Sequence, residues 1–188
     1  MITFQKARMA TALAGATVLL AASAAPALAG DVRVRDACDP ESFNAALGDG
    51  ACVRDDNRGG TVTFDRLVHS LMKKGENNKW SFTKKAKIDQ GDDLVVSFDR
   101  GGEAHTFSEV AAFGPGCISD INFLIGLDGL APECATFGER IGGPAGPGPE
   151  YIGPGVDELT VSGLTAGEHR FMCLIHPWMQ STVTVEED

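Results

Sequence analysis

The chain has 188 residues and a formal net charge of −10, with 26 acidic against 16 basic side chains. An acidic surface repels phosphate backbones and anionic lipid headgroups, so this composition argues against nucleic acid or a charged membrane as the partner. Any charged partner is expected to be basic. Without the N-terminal segment discussed next, the length of the chain suits one ordinary domain.

Residues 1–29 have the pattern of a secretory signal. Lys6 and Arg8 form a basic start, an Ala-rich apolar stretch follows, and Ala27 and Ala29 provide small residues for cleavage. The apolar run is shorter than a spanning helix needs, and no basic stop follows it, which argues against a membrane anchor. We therefore expect a periplasmic or secreted protein with no membrane span after cleavage. Removal of the two basic residues changes the net charge from −10 to about −12.

The five cysteines of an exported chain are expected to pair and to leave one over. Cys38 and Cys52 bracket one short segment, and Cys117 and Cys134 bracket another. We predict these near pairings, although four cysteines allow three connectivities. Cys173 is then the free thiol.

Two parts of the chain do not have the pattern of a plain β domain. Residues 30–60 are interpreted as an N-terminal extension, with a short helix in "DPESFNAAL" that Asp39 caps and Pro40 opens. Residues 111–157 are rich in Gly and Pro and predict a long irregular insertion, with a helical turn or two in "ISDINFLIGLDGL".

The remaining sequence consists of short alternating runs separated by polar turns. The runs are "TVTF", "KWSF", "KAKI", "DLVVSF", "AHTFSEV", "ELTVSG", "EHRFMC" and "STVTVEE". Seven or eight such strands predict an all-β protein with an antiparallel β-sandwich, and we assign residues 61–188 to this domain.

The segment "FMCLIHPWM", residues 171–179, places three possible metal ligands close together. Cys173 ends a predicted strand, and the turn that follows carries His176 and Met179. His105 begins another predicted strand and can complete the set. Two imidazoles, one thiolate and one weak thioether are the donors of a trigonal blue-copper site, whereas a tetrahedral zinc site normally has a stronger fourth ligand.

Other groups near these residues have alternative interpretations. Glu103, or a backbone oxygen near Gly102, is an alternative or additional axial donor. His169 lies about 13 Å along the strand from Cys173, too far to bind the same ion, and is predicted to be structural. His69 has no apparent partner in the sequence and receives the same interpretation.

Three stretches resemble the cupredoxins, the blue type 1 copper proteins of the plastocyanin and azurin superfamily. "CLIHPWM" is similar to their ligand loop, with the short C-x2-H-x2-M spacing of amicyanin. "KAKIDQGDDLVVSFDRGGEAHTF" and "LTAGEHRFMC" resemble the strands that lead to the first histidine and to the cysteine, so the likeness covers about residues 80–110 and 158–188. It implies a Greek-key cupredoxin-like sandwich that holds one copper ion per chain, as Cu(I) or Cu(II). The implied ligands are His105, Cys173, His176 and Met179.

The resemblance also implies a function, which is electron transfer through the edge of His176. Apolar neighbours of this histidine suit brief docking, and the acidic charge favours a basic redox partner such as a c-type cytochrome. We expect a monomer. We also expect that the protein is not an enzyme, because copper oxidases and nitrite reductases need a second copper centre built from further histidines. The alternative left open is a periplasmic copper-binding or delivery protein without an electron-transfer role.

Overall fold

The computed structural model describes residues 30–54, 60–143 and 146–187. The predicted signal segment, residues 1–29, lies outside these ranges. In chain order the strands are β1 (Asp31–Arg35), β2 (Ser81–Phe82), β3 (Lys85–Asp89), β4 (Leu94–Arg100), β5 (His105–Thr106), β6 (Ser108–Glu109), β7 (Gly142–Gly143), β8 (Gly146–Pro147), β9 (Tyr151–Ile152), β10 (Glu158–Val161), β11 (Gly167–Met172) and β12 (Gln180–Glu186). The helices are α1 (Pro40–Leu47), α2 (Phe64–Lys74), α3 (Ser119–Leu124) and α4 (Phe137–Ile141), with a 3-10 helix at Pro132–Thr136.

Two four-stranded sheets form a β-sandwich. Their strand orders are β10-β4-β1-β2 and β3-β12-β11-β6, while β5 pairs with β9 and β7 with β8. The predicted all-β sandwich is confirmed, but the sheets are mixed, because β1 runs parallel to β4 and β12 parallel to β3. Alternation of apolar residues indicates which face of a strand is buried but not whether it runs parallel or antiparallel to its neighbour. The sequence therefore could not reveal the parallel pairs.

The core lies between the sheets and is built from the buried face of each strand. Val32 and Val34 of β1 are fully buried, and Val183 of β12 lies in the same apolar cluster. The rings of Phe107 and Phe171 stack with their centroids 4.3 Å apart. This packing fixes the end of β11, from which the ligand loop begins.

Residues 30–60 are not a separate extension. β1 lies between β4 and β2 in the first sheet, so this segment supplies an interior strand of the sandwich. The alternation in "DVRVR" is the period-two pattern of such a strand, and its assignment to an extension overlooked it. The predicted helix is present as α1, and Asp39 caps it by accepting a hydrogen bond from the Ser42 amide at 3.0 Å.

The run "TVTF" is not a strand, because α2 begins at its last residue, Phe64. Leu67 and Leu71 lie one turn apart and are both buried, so the helical period outweighs the short alternation before it. α1 and α2 meet through Phe43, whose ring contacts that of Phe64 edge-on at 5.4 Å. Within the described ranges, no helix combines the length and the apolar character required to cross a membrane.

The predicted insertion, 111–157, contains short elements, α3, the 3-10 helix, α4 and β7 to β9, and it is held at two places. Cys117 bonds to Cys134, and Cys38 bonds to Cys52, so both near pairings are confirmed. The expected helical turn is α3. At the other end, β9 pairs with β5 and joins Ile152 to His105 in register.

Candidate metal centre

Three predicted ligands come together in the interior. The His105 Nδ1 and His176 Nδ1 atoms lie 3.2 Å apart, and the Cys173 Sγ lies 3.9 Å from the first and 3.7 Å from the second. His105 and Cys173 are fully buried, and His176 is 3% exposed. The sequence thus identified three side chains, from β5 and from the loop after β11, whose donor atoms converge on one point.

The spacing of these atoms fits a trigonal metal ion. Metal–nitrogen bonds of about 2.0 Å and a metal–sulfur bond of about 2.3 Å separate three trigonal donors by roughly 3.5 to 3.7 Å. The observed separations bracket that range. A thiolate with two imidazoles is a soft donor set that suits copper, as predicted.

Backbone hydrogen bonds fix the shape of the ligand loop. The Cys173 amide donates to the Met179 carbonyl at 3.0 Å, and the Met179 amide donates to the His176 carbonyl at 2.8 Å. The loop therefore closes on itself between its first and last residues. The amides of His176 and Thr106 both donate to the Cys173 sulfur at 3.4 Å, which holds the sulfur in place and favours its thiolate form.

A carboxylate behind His105 is the functional feature that sequence reasoning missed. The Asp36 Oδ2 lies 2.9 Å from the His105 Nε2, and both side chains are fully buried. The amides of Cys38, Gly102 and Glu103 donate to the same carboxylate. Asp36 follows β1 directly, so the only signal in the sequence is an acidic residue after an apolar alternating run.

Electrostatic interactions within this buried group shift the pKa values of Cys173, His105 and Asp36. Burial raises the pKa of the Cys173 thiol, but hydrogen bonds and charge from the two histidines outweigh it and hold the pKa well below its usual value. Burial lowers the pKa of His105, but hydrogen bonds and charge from Asp36 and Cys173 have the larger, opposite effect. The net result raises the pKa of His105 to about 10. Burial also raises the pKa of Asp36, yet His105 brings it below the ordinary value. The thiol is therefore disposed to lose its proton, as metal binding requires.

The two candidates for an axial ligand occupy different positions. Met179 is fully buried in the same apolar cluster as Cys173, and its ligation by the thioether stays a prediction. The Glu103 Oε1 lies 3.8 Å from the His176 Nε2, and its Oε2 accepts a hydrogen bond from the Trp80 indole. The Glu103 carboxylate thus faces the outer nitrogen of His176, on the far side of the ring from the donor atom Nδ1.

The resemblance implied that His176 presents the edge of its ring to solvent. In the structure this histidine is buried. The Trp178 ring packs edge-on against His176 with the centroids 5.3 Å apart, and Leu174 and Pro177 are buried. Trp178 and Ile175 are only half-buried. Access to this histidine therefore depends on what covers its outer edge.

The other two histidines lie away from the donors. His169 is in β11, where its Nδ1 lies 2.6 Å from the Glu109 Oε1 and its Nε2 lies 2.7 Å from the Thr165 carbonyl oxygen. His69 is exposed on α2. Neither belongs to the converging group.

Comparisons with known proteins return a limited likeness. No protein-family model matches the chain, and no curated protein sequence matches it significantly. A structure of a mutant plastocyanin of fern is 15% identical, with a TM-score of 0.35, over 57% of this chain and 89% of that one. A structure of dithionite-reduced auracyanin from Roseiflexus castenholzii is 14% identical, with a TM-score of 0.32, over 56% of this chain and 87% of that one.

Proposed function

We propose that this protein is an exported blue-copper electron carrier with one copper ion held by His105, Cys173, His176 and Met179. The observation that carries the proposal is the buried convergence of two imidazole nitrogens with the free thiol of Cys173. Copper bound there supplies a one-electron centre that alternates between Cu(I) and Cu(II). The short loop from Cys173 to Met179 is the amicyanin-like element of the proposal.

The surrounding chain keeps the ligands in place. The loop closes through its own backbone, the sulfur accepts two amide hydrogen bonds, and Asp36 orients His105. Ligands held in this way move little when the charge at the centre changes by one. That property favours electron transfer over a reaction that remakes bonds, and we propose that the protein is not an enzyme.

Burial of the donors separates electron transfer from copper delivery. Delivery requires a site from which the ion leaves easily, whereas all three converging donors are at most 3% exposed. We propose that the protein is a monomer. We also propose that it exchanges electrons with a basic redox protein, because the chain is acidic. Copper release to a chelator is then expected to be far slower than electron exchange, and the reverse order would favour a delivery role.

The visible absorption spectrum of the copper-loaded protein tests the proposal. We expect an intense sulfur-to-copper charge-transfer band that Cys173→Ser removes, since the serine oxygen is a poor substitute for a thiolate. The exposed His69 provides a control, and His69→Gln is expected to keep the band. A band that survives Cys173→Ser would refute the assignment of the thiolate ligand.

The axial ligand is tested by a pair of methionine variants. Met179→Leu is expected to retain copper and colour but to raise the reduction potential, because loss of a weak donor destabilises Cu(II) more than Cu(I). Met172 is equally buried, lies in a separate apolar cluster and provides the control Met172→Leu. Equal potentials in the two variants would remove Met179 from the ligand set.

A further inference from the structure

A cavity of about 340 Å³ lies against the outer edge of His176. Its walls come from α1, α2, α3 and the ligand loop, and they include Phe43, Leu67, Leu71, Ile121, Leu124 and Trp178. The charged or polar lining residues are Glu103, Asp120 and His176. Small-molecule sites share this size and this mainly apolar lining with a few polar groups.

The cavity reaches the surface at one side. Leu47 of α1 lines it and is 57% exposed, whereas Leu71 of α2 is 2% exposed. The lining therefore includes both surface and deeply buried side chains. α3 belongs to the 111–157 insertion and α1 to the N-terminal segment, so parts of the chain outside the two sheets build the cavity.

Polar groups around the cavity have unused hydrogen-bonding capacity. The Glu103 side chain is 9% exposed, and its Oε1 has no hydrogen bond to any described residue. The His176 Nε2 lies 3.8 Å away, which is too far for a direct bond. The Trp178 Nε1 is buried and, within the described part of the chain, also lacks a partner. Buried polar atoms are nearly always paired, so the Glu103 carboxylate oxygen and the Trp178 indole N–H are groups with which a bound ligand can form hydrogen bonds.

We propose that this cavity binds a small uncharged aromatic alcohol, with the ring between the helices and the hydroxyl at Glu103 and His176. A hydroxyl donates one hydrogen bond and accepts others, so it can satisfy Glu103 in either protonation state together with an N–H of His176 or Trp178. The partly buried aromatic rings of Phe64 and Trp178 line the cavity and offer contacts to a bound ring.

Other ligand classes fit less well. An anion would meet Glu103 and Asp120 in a protein of net charge −10. A purely apolar molecule, whether a ring or an alkyl chain, would leave the carboxylate oxygen and the indole N–H unpaired. The binding proposal does not depend on which metal, if any, the neighbouring donors hold.

Titration of the full chain with p-cresol tests the proposal. Amide and side-chain NMR signals are followed in the copper-free and Cu(I)-loaded forms, both of which are diamagnetic. We expect saturable shifts at Ile121, His176 and Trp178, and affinity at least tenfold higher for p-cresol than for toluene, which lacks the hydroxyl. Benzoate and benzylamine, the charged analogues, are expected to bind at least tenfold more weakly than p-cresol.

Two tryptophan substitutions on α3 separate the cavity from the surface. Ile121 lines the cavity, whereas Phe123 is 82% exposed and does not. Ile121→Trp is expected to reduce p-cresol affinity at least tenfold, and Phe123→Trp less than twofold. If Ile121→Trp fails to fold, Val68→Phe on α2 fills the same space from the opposite wall.

Several outcomes would overturn the proposal. They are absence of saturable p-cresol shifts, equal affinity for toluene, and equal losses in Ile121→Trp and Phe123→Trp. Tighter binding of N-acetylphenylalaninamide than of p-cresol would also overturn it, because the occupant would then be a protein side chain.

Discussion

Asp36 determines how His105 presents its ring, because its carboxylate contacts the nitrogen opposite the donor atom. A carboxylate in this position orients a ligand imidazole and makes it a stronger donor, particularly to Cu(II). Its three backbone hydrogen bonds keep Asp36 itself from turning. The orientation of this predicted ligand therefore depends on a residue outside the predicted ligand set.

Replacement of Asp36 by asparagine tests this role. Asp36→Asn removes the charge with little change of shape, and we expect Cu(II) affinity to fall by about 10- to 100-fold. The reduction potential is expected to rise, since Cu(II) loses more stabilisation than Cu(I). Chelator competition and voltammetry measure the two quantities. Asp99→Asn, which removes a half-exposed carboxylate paired with Arg35, provides the control, and an unchanged potential in Asp36→Asn would exclude the proposed effect.

Gly116 allows the insertion to approach the ligand loop. A Cβ at this residue would lie 2.5 Å from the Leu174 carbonyl oxygen and 3.3 Å from the Pro177 Cδ. The Cys117 amide, next in the chain, donates to the same carbonyl at 2.6 Å. Only a residue without a side chain fits between these two backbones.

Gly116→Ala is expected to push the insertion away from the loop. Overpacking of this kind costs about 1 to 3 kcal/mol of the free energy of unfolding. The charge-transfer band is expected to shift as well, because Leu174 follows Cys173. Gly114→Ala, where a Cβ meets nothing within 4 Å, is expected to change stability by less than about 0.5 kcal/mol. Thermal or denaturant unfolding with visible spectra measures both effects, and equal behaviour of the two variants would contradict this account.

At the scale of single residues, the sequence revealed what is local and missed what is distant. Cys173, His176 and Met179 share one short loop, so their spacing alone indicated a metal site. Asp36 lies 69 positions from His105, and no spacing rule connects them. The helices next to His176 come from two separate segments, and no spacing rule connects them to the ligand loop either.

At the scale of elements, β11 combines two tasks. Its end delivers Cys173 to the site, while His169, nearer its start, ties the strand to β6 through Glu109. Burial lowers the pKa of His169, but the bonds to Glu109 and to the Thr165 carbonyl raise it above the ordinary value. The protonated histidine therefore stabilises the pairing of these two strands.

This contact predicts a pH dependence of stability. A pKa raised on folding contributes stability that is fully present below the unfolded value of about 6.5 and is lost as pH rises through the folded value. We expect His169→Gln to destabilise the protein by roughly 0.5 kcal/mol at pH 6 and by less at pH 9, since Glu109 is half exposed. Denaturant unfolding of both proteins across this range measures the difference. A gap that widens with increasing pH would show that the histidine acts as a neutral group.

Short elements were also where sequence patterns failed. β1 was assigned to an extension because its five residues precede a predicted short helix and lie far from the other alternating runs. α2 was missed because "TVTF" alternates for four residues before the helical period begins. The longer strands β4, β11 and β12 have six or seven residues each, and their apolar patterns were recognised.

At the scale of the whole molecule, charge and cover act on the same process. The net charge of −10 attracts cations over long range. At short range, Trp178 and the helices limit how closely a redox reagent can approach His176. Long-range attraction is screened within about 10 Å at 0.1 M salt, but short-range cover is not. Salt and substitution therefore probe different steps of the proposed electron exchange.

Stopped-flow exchange with small inorganic complexes separates these steps. We expect slow exchange in the unaltered protein and a several-fold increase in Trp178→Ala, because the ring that covers His176 is removed. Trp178→Phe keeps an aromatic cover and is expected to behave like the unaltered protein. Cationic complexes are expected to react faster than anionic ones, with a difference that shrinks as salt is added. Fast exchange before any substitution would mean that electrons reach the centre by another route.

The long sequence separations within the candidate metal centre bear on the order of folding. His105 lies 68 positions from Cys173, and the Asp36 that orients it lies 69 positions before it, whereas Cys173 and His176 are three positions apart. Bringing such distant residues together carries an entropy cost of loop closure that the local pair does not have. We therefore expect an ion that meets the unfolded chain to find only the local pair, and the full donor set to become available once the long-range contacts have formed.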